Sequence, residues 1–316
     1  MRFTIFNVVI ILLILTFSIS LLIYKKDIKH FNKQLLSKTV NSKDINVNGC
    51  KVQYEVQGEG TPILVLHGIT GGIDQGKGMV NTYLSTSYKY IYVSRFGYLN
   101  SEMTDEASVE KQAEVYKQLL DSLNIEKVYL YANSAGGTSA IQFAMKYPNR
   151  VHGLILQSSN MPGQYAKLPP KQVMQVVFGN NYVYWLSIKL FGNSMLKSFM
   201  TSDLYESLDS AKKRDLLNNV FLSSLPISKR KQGIIFDMFT SNAYINQLTI
   251  NSNVLKMPVL ILHAHDDPSI PIEYAHSFAS RLSNCELVAV SGGHLMINSE
   301  TVVKNSIDKF INEYTD

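Results

Sequence analysis

Tyr131-Ala132-Asn133-Ser134-Ala135-Gly136-Gly137 carries the strongest indication of the architecture of this 316-residue chain. The apolar run Lys127–Leu130 precedes it and predicts a strand, and residues 138–147 predict a helix that stops before a proline. Small residues around a serine suit a sharp, strained turn from strand to helix, because such a turn leaves little room for a Cβ. The stretch matches G-x-S-x-G with Ala132 at the first glycine. It predicts either an exposed nucleophilic hydroxyl at Ser134 or a plain turn that ends a buried strand.

Continuous apolar runs alternate with helical segments along most of the chain. Helices are predicted at residues 108–123 and 138–147, and an opening strand pair is predicted from Val47 to Gln57 around the turn dipeptide Asn48-Gly49. Buried strands that alternate with amphipathic helices are typical of a mostly parallel sheet with helices on both faces. The core strands are predicted at Ile63–His67, Tyr90–Ser94, Lys127–Tyr131, Val151–Gln157, Val259–His263 and Glu286–Val290.

A candidate base and a candidate acid each follow a predicted strand. His294 comes after an apolar strand and two glycines, whereas Asp266 and Asp267 follow the strand before it. A serine nucleophile needs a base within hydrogen-bond reach, and a carboxylate then holds the imidazole in the required tautomer. Ligands of parallel sheets bind beyond the carboxyl ends of the strands, where all these residues lie. A core histidine and a helix-capping aspartate are the structural alternatives.

A glycine-rich loop, His67-Gly68-Ile69-Thr70-Gly71-Gly72, follows the first core strand. Such a loop can point backbone N–H groups at a developing negative oxygen. A tight turn or a phosphate loop would also contain glycines. The Lys-Ser/Thr ending of a Walker loop is absent, however, and so is Gly-x-Gly-x-x-Gly.

In this order, the motifs resemble those of the α/β-hydrolase family. The resemblance runs from about Asn46 to Tyr314, and it includes Ser94–Ser101, which is similar to the family's arginine-glycine loop. It implies an α/β fold with a mostly parallel central sheet, helices on both faces and an inserted helical lid. It also implies that Arg95 is a structural brace. The serine argues against dehalogenases and epoxide hydrolases of the family, which use an aspartate nucleophile.

The resemblance also assigns the site residue by residue. Asp267 is preferred over Asp266 because the phrase Asp-x-x-x-Pro matches the family. No cofactor is implied. The nucleophile would be Ser134, the acid Asp267 and the base His294, and the oxyanion would be held by the backbone N–H groups of Ile69 and Ala135.

Composition bears on metals, disulfides and nucleic acids. His263 and His265 are expected to be strand-end or loop residues, so no metal site is predicted. Cys50 and Cys285 suggest no disulfide framework. The formal net charge is +5, but residues 25–43 contain six lysines and one aspartate, so the basic excess is concentrated beside the N-terminal apolar run. The remainder has no nucleic-acid footprint.

Residues Ile5 to Tyr24 are almost uninterruptedly apolar. A helix of this length spans roughly 30 Å, enough to cross the hydrocarbon core of a bilayer. A cleaved signal peptide is the alternative, although no clear small-x-small site follows the run. We expect an uncleaved single-pass anchor at 1–24 and a basic tether at 25–45 that binds an anionic leaflet. The lysines favour a cytoplasmic catalytic domain.

The alternation of strands and helices stops between about Gly163 and Asn253. This division predicts a first core part at 46–162, a helical lid at 163–253 and a second core part at 254–316. Most lid aromatics are expected to pack against the core, and a minority to line an apolar substrate pocket. The basic clusters at 212–214 and 229–231 are predicted to be solvated.

The sequence thus predicts a membrane-anchored serine hydrolase that cleaves carboxylic esters through an acyl-enzyme, with a small, apolar acyl substrate. Alternatives on the same fold are a thioesterase or lipase, a carbon–carbon bond hydrolase and a proline-type aminopeptidase. A non-catalytic binding protein is an alternative of another class. The sequence does not specify the oligomeric state. The aminopeptidase would need lid carboxylates to bind the substrate amine, and those available are Asp203, Glu206, Asp209 and Asp237.

Overall fold

Eight strands form one sheet at the centre of the chain. The structure, a computed structural model, describes residues 5–47, 49–165, 168–250 and 255–315. The strands are β1 (Lys43–Val47), β2 (Cys50–Gln57), β3 (Pro62–Leu66), β4 (Lys89–Val93), β5 (Val128–Asn133), β6 (Val151–Gln157), β7 (Val259–Ala264) and β8 (Cys285–Val290).

The strand order is β1-β2-β4-β3-β5-β6-β7-β8. β2 pairs antiparallel with β1 and with β4, and all other pairs are parallel. The predicted α/β fold is confirmed, and each predicted core strand is present with ends shifted by at most two residues. Val47 pairs with Cys50 across the predicted opening turn, of which Asn48 lies outside the described residues.

Helices cover both faces of the sheet. α3, α4 and α11 pack on one face, against the side chains of Leu64, Leu66 and Leu130, and α2 and α12 pack on the other face. The helices are α1 (Ile5–Thr39), α2 (Ile73–Tyr83), α3 (Val109–Ser122), α4 (Gly136–Lys146), α5 (Lys171–Gly179), α6 (Asn181–Lys197), α7 (Ser202–Ser207), α8 (Ser210–Leu216), α9 (Lys231–Phe236), α10 (Asn242–Gln247), α11 (Ile272–Ala279) and α12 (Glu300–Tyr314).

α5 to α10 lie between β6 and β7 and form a helical insertion there. We refer to residues 168–250 as the lid segment; the predicted boundary Asn253 lies outside the described residues. The lid segment has its own apolar cluster, which includes Tyr184, Trp185 and Phe221 and also takes in Tyr98 of the core and Phe31 of α1. The aromatic residues of the lid segment therefore pack mainly on one another and on these neighbours.

The prediction that residues 229–231 form a solvated basic face is wrong for Arg230. Its side chain is fully buried and forms a bidentate ion pair with Asp74 on α2, with Nη2–Oδ2 at 2.8 Å. It also donates to the carbonyl oxygens of Gly71 and Ser224. A guanidinium tolerates burial when its donors are paired in this way, and the charge pattern alone does not reveal the partner.

α1 runs as one continuous helix from Ile5 to Thr39. Most of the predicted basic tether is therefore helical, and Phe31 and Leu35 on this part are buried. Among the residues that the structure describes, α1 alone is long and apolar enough to cross a membrane, and none of its apolar 18-residue window is buried in the protein. A signal sequence would meet the same length and composition criteria.

Candidate active site

Ser134 occupies the turn between β5 and α4. Its φ of +47° lies in the left-handed region, which costs a non-glycine residue energy and has to be held by its surroundings. The Ser134 carbonyl accepts hydrogen bonds from the N–H groups of Gly137 (3.0 Å) and Asn160 (2.8 Å). At Gly136, a Cβ would lie 2.5 Å from the carbonyl oxygen of Leu66, so glycine is required for the helix to approach β3.

The imidazole of His294 lies between a hydroxyl and a carboxylate. Its Nε2 is 3.1 Å from Ser134 Oγ, and its Nδ1 is 2.8 Å from Asp267 Oδ2. The main-chain N–H of His294 donates to the carbonyl oxygen of Phe199 in the lid segment at 2.7 Å. Three loops that are distant in the chain therefore meet at one edge of the sheet, as the strand-end positions predict.

Asp267 is buried and is held by its own loop. Its Oδ1 accepts hydrogen bonds from the N–H groups of Ser269 (2.7 Å) and Ile270 (3.1 Å). Burial alone would raise the pKa of this carboxyl, but the hydrogen bonds and the nearby imidazole lower it below its usual value. Because the carboxylate is ionised, His294 Nδ1 carries the proton and donates, which leaves the Nε2 lone pair facing Ser134.

Asp266, the competing carboxylate of the sequence, points elsewhere. Its oxygens accept hydrogen bonds from the N–H groups of Gly292 (3.3 Å) and Gly293 (3.0 Å), just before His294. Gly293 has φ +63°, and a Cβ there would lie 2.4 Å from the Phe199 carbonyl oxygen. Asp266 thus braces the loop that carries the imidazole, whereas Asp267 contacts the imidazole itself.

His263 and His265 have different surroundings from each other. His263 is fully buried on β7; its Nε2 is 2.8 Å from the carbonyl oxygen of Ile270 and 3.6 Å from Asp267 Oδ2. Burial lowers the pKa of His263, so the neutral ring donates to Ile270 and supports the acid loop. His265 is exposed. Within the described ranges no group of three or more His, Cys, Asp or Glu side chains could hold a metal ion.

A buried hydrogen-bond network orients the glycine-rich loop. His67 Nδ1 donates to the carbonyl oxygen of Gly68 (2.8 Å), and its Nε2 accepts from the main-chain N–H of Arg95 (3.0 Å). Arg95 Nη2 donates to the same Gly68 carbonyl at 3.3 Å. Because the N–H of a trans peptide points opposite to its C=O, the N–H of Ile69 faces away from this network.

The loop and the serine turn are neighbours. A Cβ at Gly68 would be 3.2 Å from Ser134 Cβ, so the Gly68–Ile69 peptide lies beside the hydroxyl. Ala135 caps the start of α4, where the first N–H groups have no partner within the helix and the helix dipole is positive. The two N–H groups predicted to hold an oxyanion are thus on the two loops that meet at Ser134.

A buried ion pair links this network to the lid segment. Arg95 binds Asp237 bidentately, with Nη1–Oδ1 at 2.7 Å and Nη2–Oδ2 at 2.5 Å. The hydroxyl of Tyr98 donates to the same carboxylate at 2.5 Å. The bracing role expected for Arg95 has a partner here that no local motif indicates, because Asp237 is 142 residues away.

A cavity of about 400 Å³ opens beside His294. Its lining is mixed and not simply the apolar pocket expected from the sequence, because most of its side chains are polar and one, Lys38, comes from α1. On the other side of the imidazole, the Phe199 ring lies 5.3 Å from the His294 ring between centroids. The polar lining residues are Lys38, Thr70, Asp74, Gln75, Thr82, Tyr83, Asn133, Gln157, Asn219, Ser223, Ser224 and His294.

The family profile of the α/β-hydrolase fold matches residues 61–300, so the chain belongs to the α/β-hydrolase family and is a hydrolase. Among its relatives, an uncharacterized hydrolase, YcgS, from Bacillus subtilis is 27% identical over 80% of this chain and 91% of its own length. A 2-hydroxy-6-oxononadienedioate/2-hydroxy-6-oxononatrienedioate hydrolase from Paraburkholderia phymatum is 28% identical over 79% of this chain and 88% of its own length.

Solved structures show the same fold. A meta-cleavage product hydrolase from Pseudomonas fluorescens superposes with a TM-score of 0.66, at 20% identity, over 86% of this chain and 98% of the other. A thermophilic esterase from Thermogutta terrifontis superposes with a TM-score of 0.64, also at 20% identity, over 87% and 99%. At this identity the likeness concerns the fold, and it does not transfer a substrate.

Proposed function

We propose that the chain is a serine hydrolase that cleaves carboxylic esters through an acyl-enzyme on Ser134. The observation that carries the proposal is the position of His294, within hydrogen-bond distance of both Ser134 Oγ and Asp267 Oδ2. At these distances Nε2 can take the Ser134 proton as a general base and return it as a general acid within one turnover.

The proposed reaction follows from this geometry. His294 Nε2 takes the Ser134 proton while Oγ attacks the acyl carbon, and the N–H groups of Ile69 and Ala135 hold the oxyanion. The imidazolium, stabilised by Asp267, then protonates the leaving alkoxide. Water repeats the sequence on the acyl-enzyme and releases the acid.

A carbon–carbon bond hydrolase is the second candidate. The relative from Paraburkholderia phymatum is named as a hydrolase of a 2-hydroxy-6-oxo dioic acid, which is not an ester, and this supports the second candidate more directly than it supports the ester. The cavity beside His294 has a mixed lining whose polar side chains, including Lys38, Asn133 and Gln157, also suit a substrate with a charged or hydrogen-bonding group. In that case the leaving group would be a carbanion that must be protonated on carbon.

The aminopeptidase alternative has less support. Asp237, one of the four lid carboxylates that could bind a substrate amine, is occupied by Arg95 and Tyr98. Glu206 pairs with Lys197, and Asp209 caps α8. These uses leave little negative charge for an amine close to His294.

We further propose that α1 remains attached as a single-pass membrane anchor. The helix continues beyond its apolar run to Thr39. In this second part, the side chains of Phe31 and Leu35 are buried against the rest of the protein. Asp27 accepts a hydrogen bond from Trp185 Nε1 and pairs with Lys189, both on α6. Cleavage near Tyr24 would keep these contacts but would remove Phe17 and Tyr24, whose rings contact Tyr182 and Trp185 on α6, and this loss argues against a removable signal peptide.

Activity-based labelling tests the serine assignment. A fluorophosphonate probe should label the full chain and the Ser207→Ala control, whose hydroxyl is exposed on α7. It should not label Ser134→Ala, and turnover of that variant should fall by at least about 10⁴-fold. Labelling or hydrolysis that persists in folded Ser134→Ala protein would refute the assignment.

A substrate panel then separates the two candidates. Aryl and alkyl esters, thioesters, N-terminal prolyl amides and a vinylogous 1,5-diketone acid would be compared at equal concentration with full-length protein in detergent. Preference for esters supports the first proposal. A kcat/KM for the diketone acid at least tenfold above that for every ester would transfer the assignment to the carbon–carbon hydrolase.

A further inference from the structure

α1 and the lid segment are joined side by side. α6 runs along α1 in the same direction, because Tyr182 contacts Phe17 and Ser20, and Trp185 contacts Tyr24. Further along, Trp185 and Lys189 both contact Asp27. The contacts begin inside the apolar run of α1 and continue past its end.

Three aromatic rings form the centre of this contact. Tyr24 lies 5.3 Å from Tyr182 and 5.7 Å from Trp185 between centroids, both edge to face, and Tyr182 stacks on Trp185 at 5.8 Å. We call Tyr24, Tyr182 and Trp185 the aromatic junction. Aromatic pairs in this geometry stabilise a contact beyond the apolar area they bury, so the junction holds the two helices in register.

The ends of the junction differ in polarity. Towards the C-terminal end of α1, Asp27 Oδ2 accepts a hydrogen bond from Trp185 Nε1 at 2.9 Å and pairs with Lys189 Nζ at 2.9 Å. On the other side, Tyr182 contacts Phe17, whose ring lies 6.0 Å away, and its hydroxyl is 2.6 Å from Ser20 Oγ. The junction therefore has a charged end and an apolar end.

The position of the junction along α1 relates it to a bilayer. Phe17 precedes Tyr24 by seven residues, which is about 10 Å of helix, and Lys25 and Lys26 follow Tyr24 directly. If the apolar run crosses the hydrocarbon core, the junction lies at the level where that core ends. Trp and Tyr are enriched at this level in membrane proteins, because their rings are apolar and their N–H and O–H groups reach water.

We propose that the aromatic junction seats the lid segment on the lipid–water interface, with a bilayer as its partner. The proposal rests on the membrane attachment put forward above. The apolar run of α1 is not buried in the protein. Its exposed surface adjoins the apolar end of the aromatic junction, where Tyr182 contacts Phe17. Lys25, Lys26 and Lys29 are exposed beside it and match anionic headgroups. A continuous helix with this side contact fixes the catalytic domain in one orientation.

The single tryptophan of the chain makes the proposal testable by fluorescence. Three full-length proteins would be reconstituted in phosphatidylcholine–phosphatidylglycerol vesicles whose acyl chains are brominated at carbons 6 and 7. The first is the natural chain, with Trp185. The second is Trp185→Phe/Tyr182→Trp, with the fluorophore one turn nearer the apolar run. The third is the control Trp185→Phe/Tyr205→Trp.

The control site, Tyr205 on α7, lies beside the far end of α6. The ring of Tyr205 is 4.5 Å from Lys197 Nζ, and Lys197 is 15 residues beyond Tyr182, or about 22 Å of helix. Relative to unbrominated vesicles, we expect the largest loss of emission at position 182, a smaller loss at 185 and none at 205. A second variant, Asp27→Ala, should make Trp185 more accessible to aqueous acrylamide, whereas Glu206→Ala should not.

Sedimentation with the vesicles and fluorophosphonate labelling are measured in parallel. Loss of vesicle binding would overturn the membrane attachment, and the junction proposal with it. Vesicle-bound protein that shows no quenching at 182, or equal quenching at 182 and 205, would overturn the junction alone. Labelling at Ser134 reports on the hydrolase assignment independently of both and shows that each variant is folded.

Discussion

Asp267 at the edge of the sheet and Asp237 in the lid segment are both almost fully buried, with 6% and 1% of their surfaces exposed. Each binds a nitrogen base through short hydrogen bonds, Asp267 to the His294 imidazole and Asp237 to the Arg95 guanidinium. The imidazole has a ring nitrogen that can accept a proton from a neighbouring hydroxyl, whereas the guanidinium has only donors and stays charged. The same kind of carboxylate would therefore support the proposed proton transfer in one region, and in the other it fixes a contact between the core and the lid segment.

Replacing Asp267 gives the largest expected effect on activity. Asp267→Asn should lower kcat by about 10⁴-fold, because the amide no longer holds His294 in the tautomer that accepts the Ser134 proton. Steady-state kinetics on the best ester of the panel measure the loss. The exposed lid carboxylate Asp203 provides the control, and Asp203→Asn should keep its activity. Near-normal turnover by Asp267→Asn would show that Asp267, like Asp237, has a structural role and does not take part in catalysis.

Asp237 should instead affect stability first. Asp237→Ala leaves the Arg95 guanidinium buried and unpaired, which should lower the free energy of unfolding by about 3–5 kcal/mol. The double variant Arg95→Met/Asp237→Leu should recover much of this loss, since it removes both charges. Urea unfolding in detergent micelles compares the three proteins. A loss below about 1 kcal/mol in the single variant would contradict the bracing role.

The network between these two regions predicts a pH dependence of stability. Burial and the charge of Arg95 lower the pKa of His67 well below 6.5, so the folded chain binds fewer protons there than the unfolded chain. The free energy of unfolding should fall as the pH drops below about 6.5, by up to about 1.4 kcal/mol per pH unit from this residue.

His67→Asn isolates that contribution. Urea unfolding between pH 7 and pH 5 should show a less stable protein whose stability depends less on pH. Replacement of the exposed His276 by asparagine should leave the pH dependence unchanged. Equal slopes for the natural chain and His67→Asn would mean that His67 binds protons as readily in the folded chain as in the unfolded chain.

Asp266 should give the smallest effect. Asp266→Asn removes a charge but keeps one acceptor for the N–H of Gly293, so the His294 loop loses about 0.5–1.5 kcal/mol of support. We expect kcat to fall about 2- to 10-fold, measured beside Asp267→Asn on the same ester. A loss as large as that of Asp267→Asn would reverse the assignment of the two neighbouring aspartates.

Local sequence patterns predicted most strands of the sheet and also which residues meet at the candidate site. Ser134, Asp267 and His294 each follow a strand, and parallel strands end at the same edge, so their proximity follows from topology. The catalytic roles stay predictions until the variants are measured. The fold class could be predicted from the apolar runs, the glycines and their order along the chain.

Contacts between distant, irregular segments escaped prediction. The Arg230–Asp74 pair joins positions 156 residues apart, and neither residue stands in a motif. The polar cavity lining was missed for the same reason, because Lys38, Asn219 and Gln157 come from three unrelated elements. The continuation of α1 beyond its apolar run was also missed, since its lysines suggested a solvated tether while Phe31 and Leu35 turn inward.

The burial of Phe31 and Leu35 has a practical consequence for protein production. A water-soluble version trimmed at the start of β1 would lose two buried side chains, of which Phe31 belongs to the apolar cluster of the lid segment, and it would also lose Lys38 from the lining of the cavity. Trimming between Tyr24 and Asp27 would keep all three. The site of the cut therefore decides whether a soluble enzyme represents the natural one or a weakened fragment.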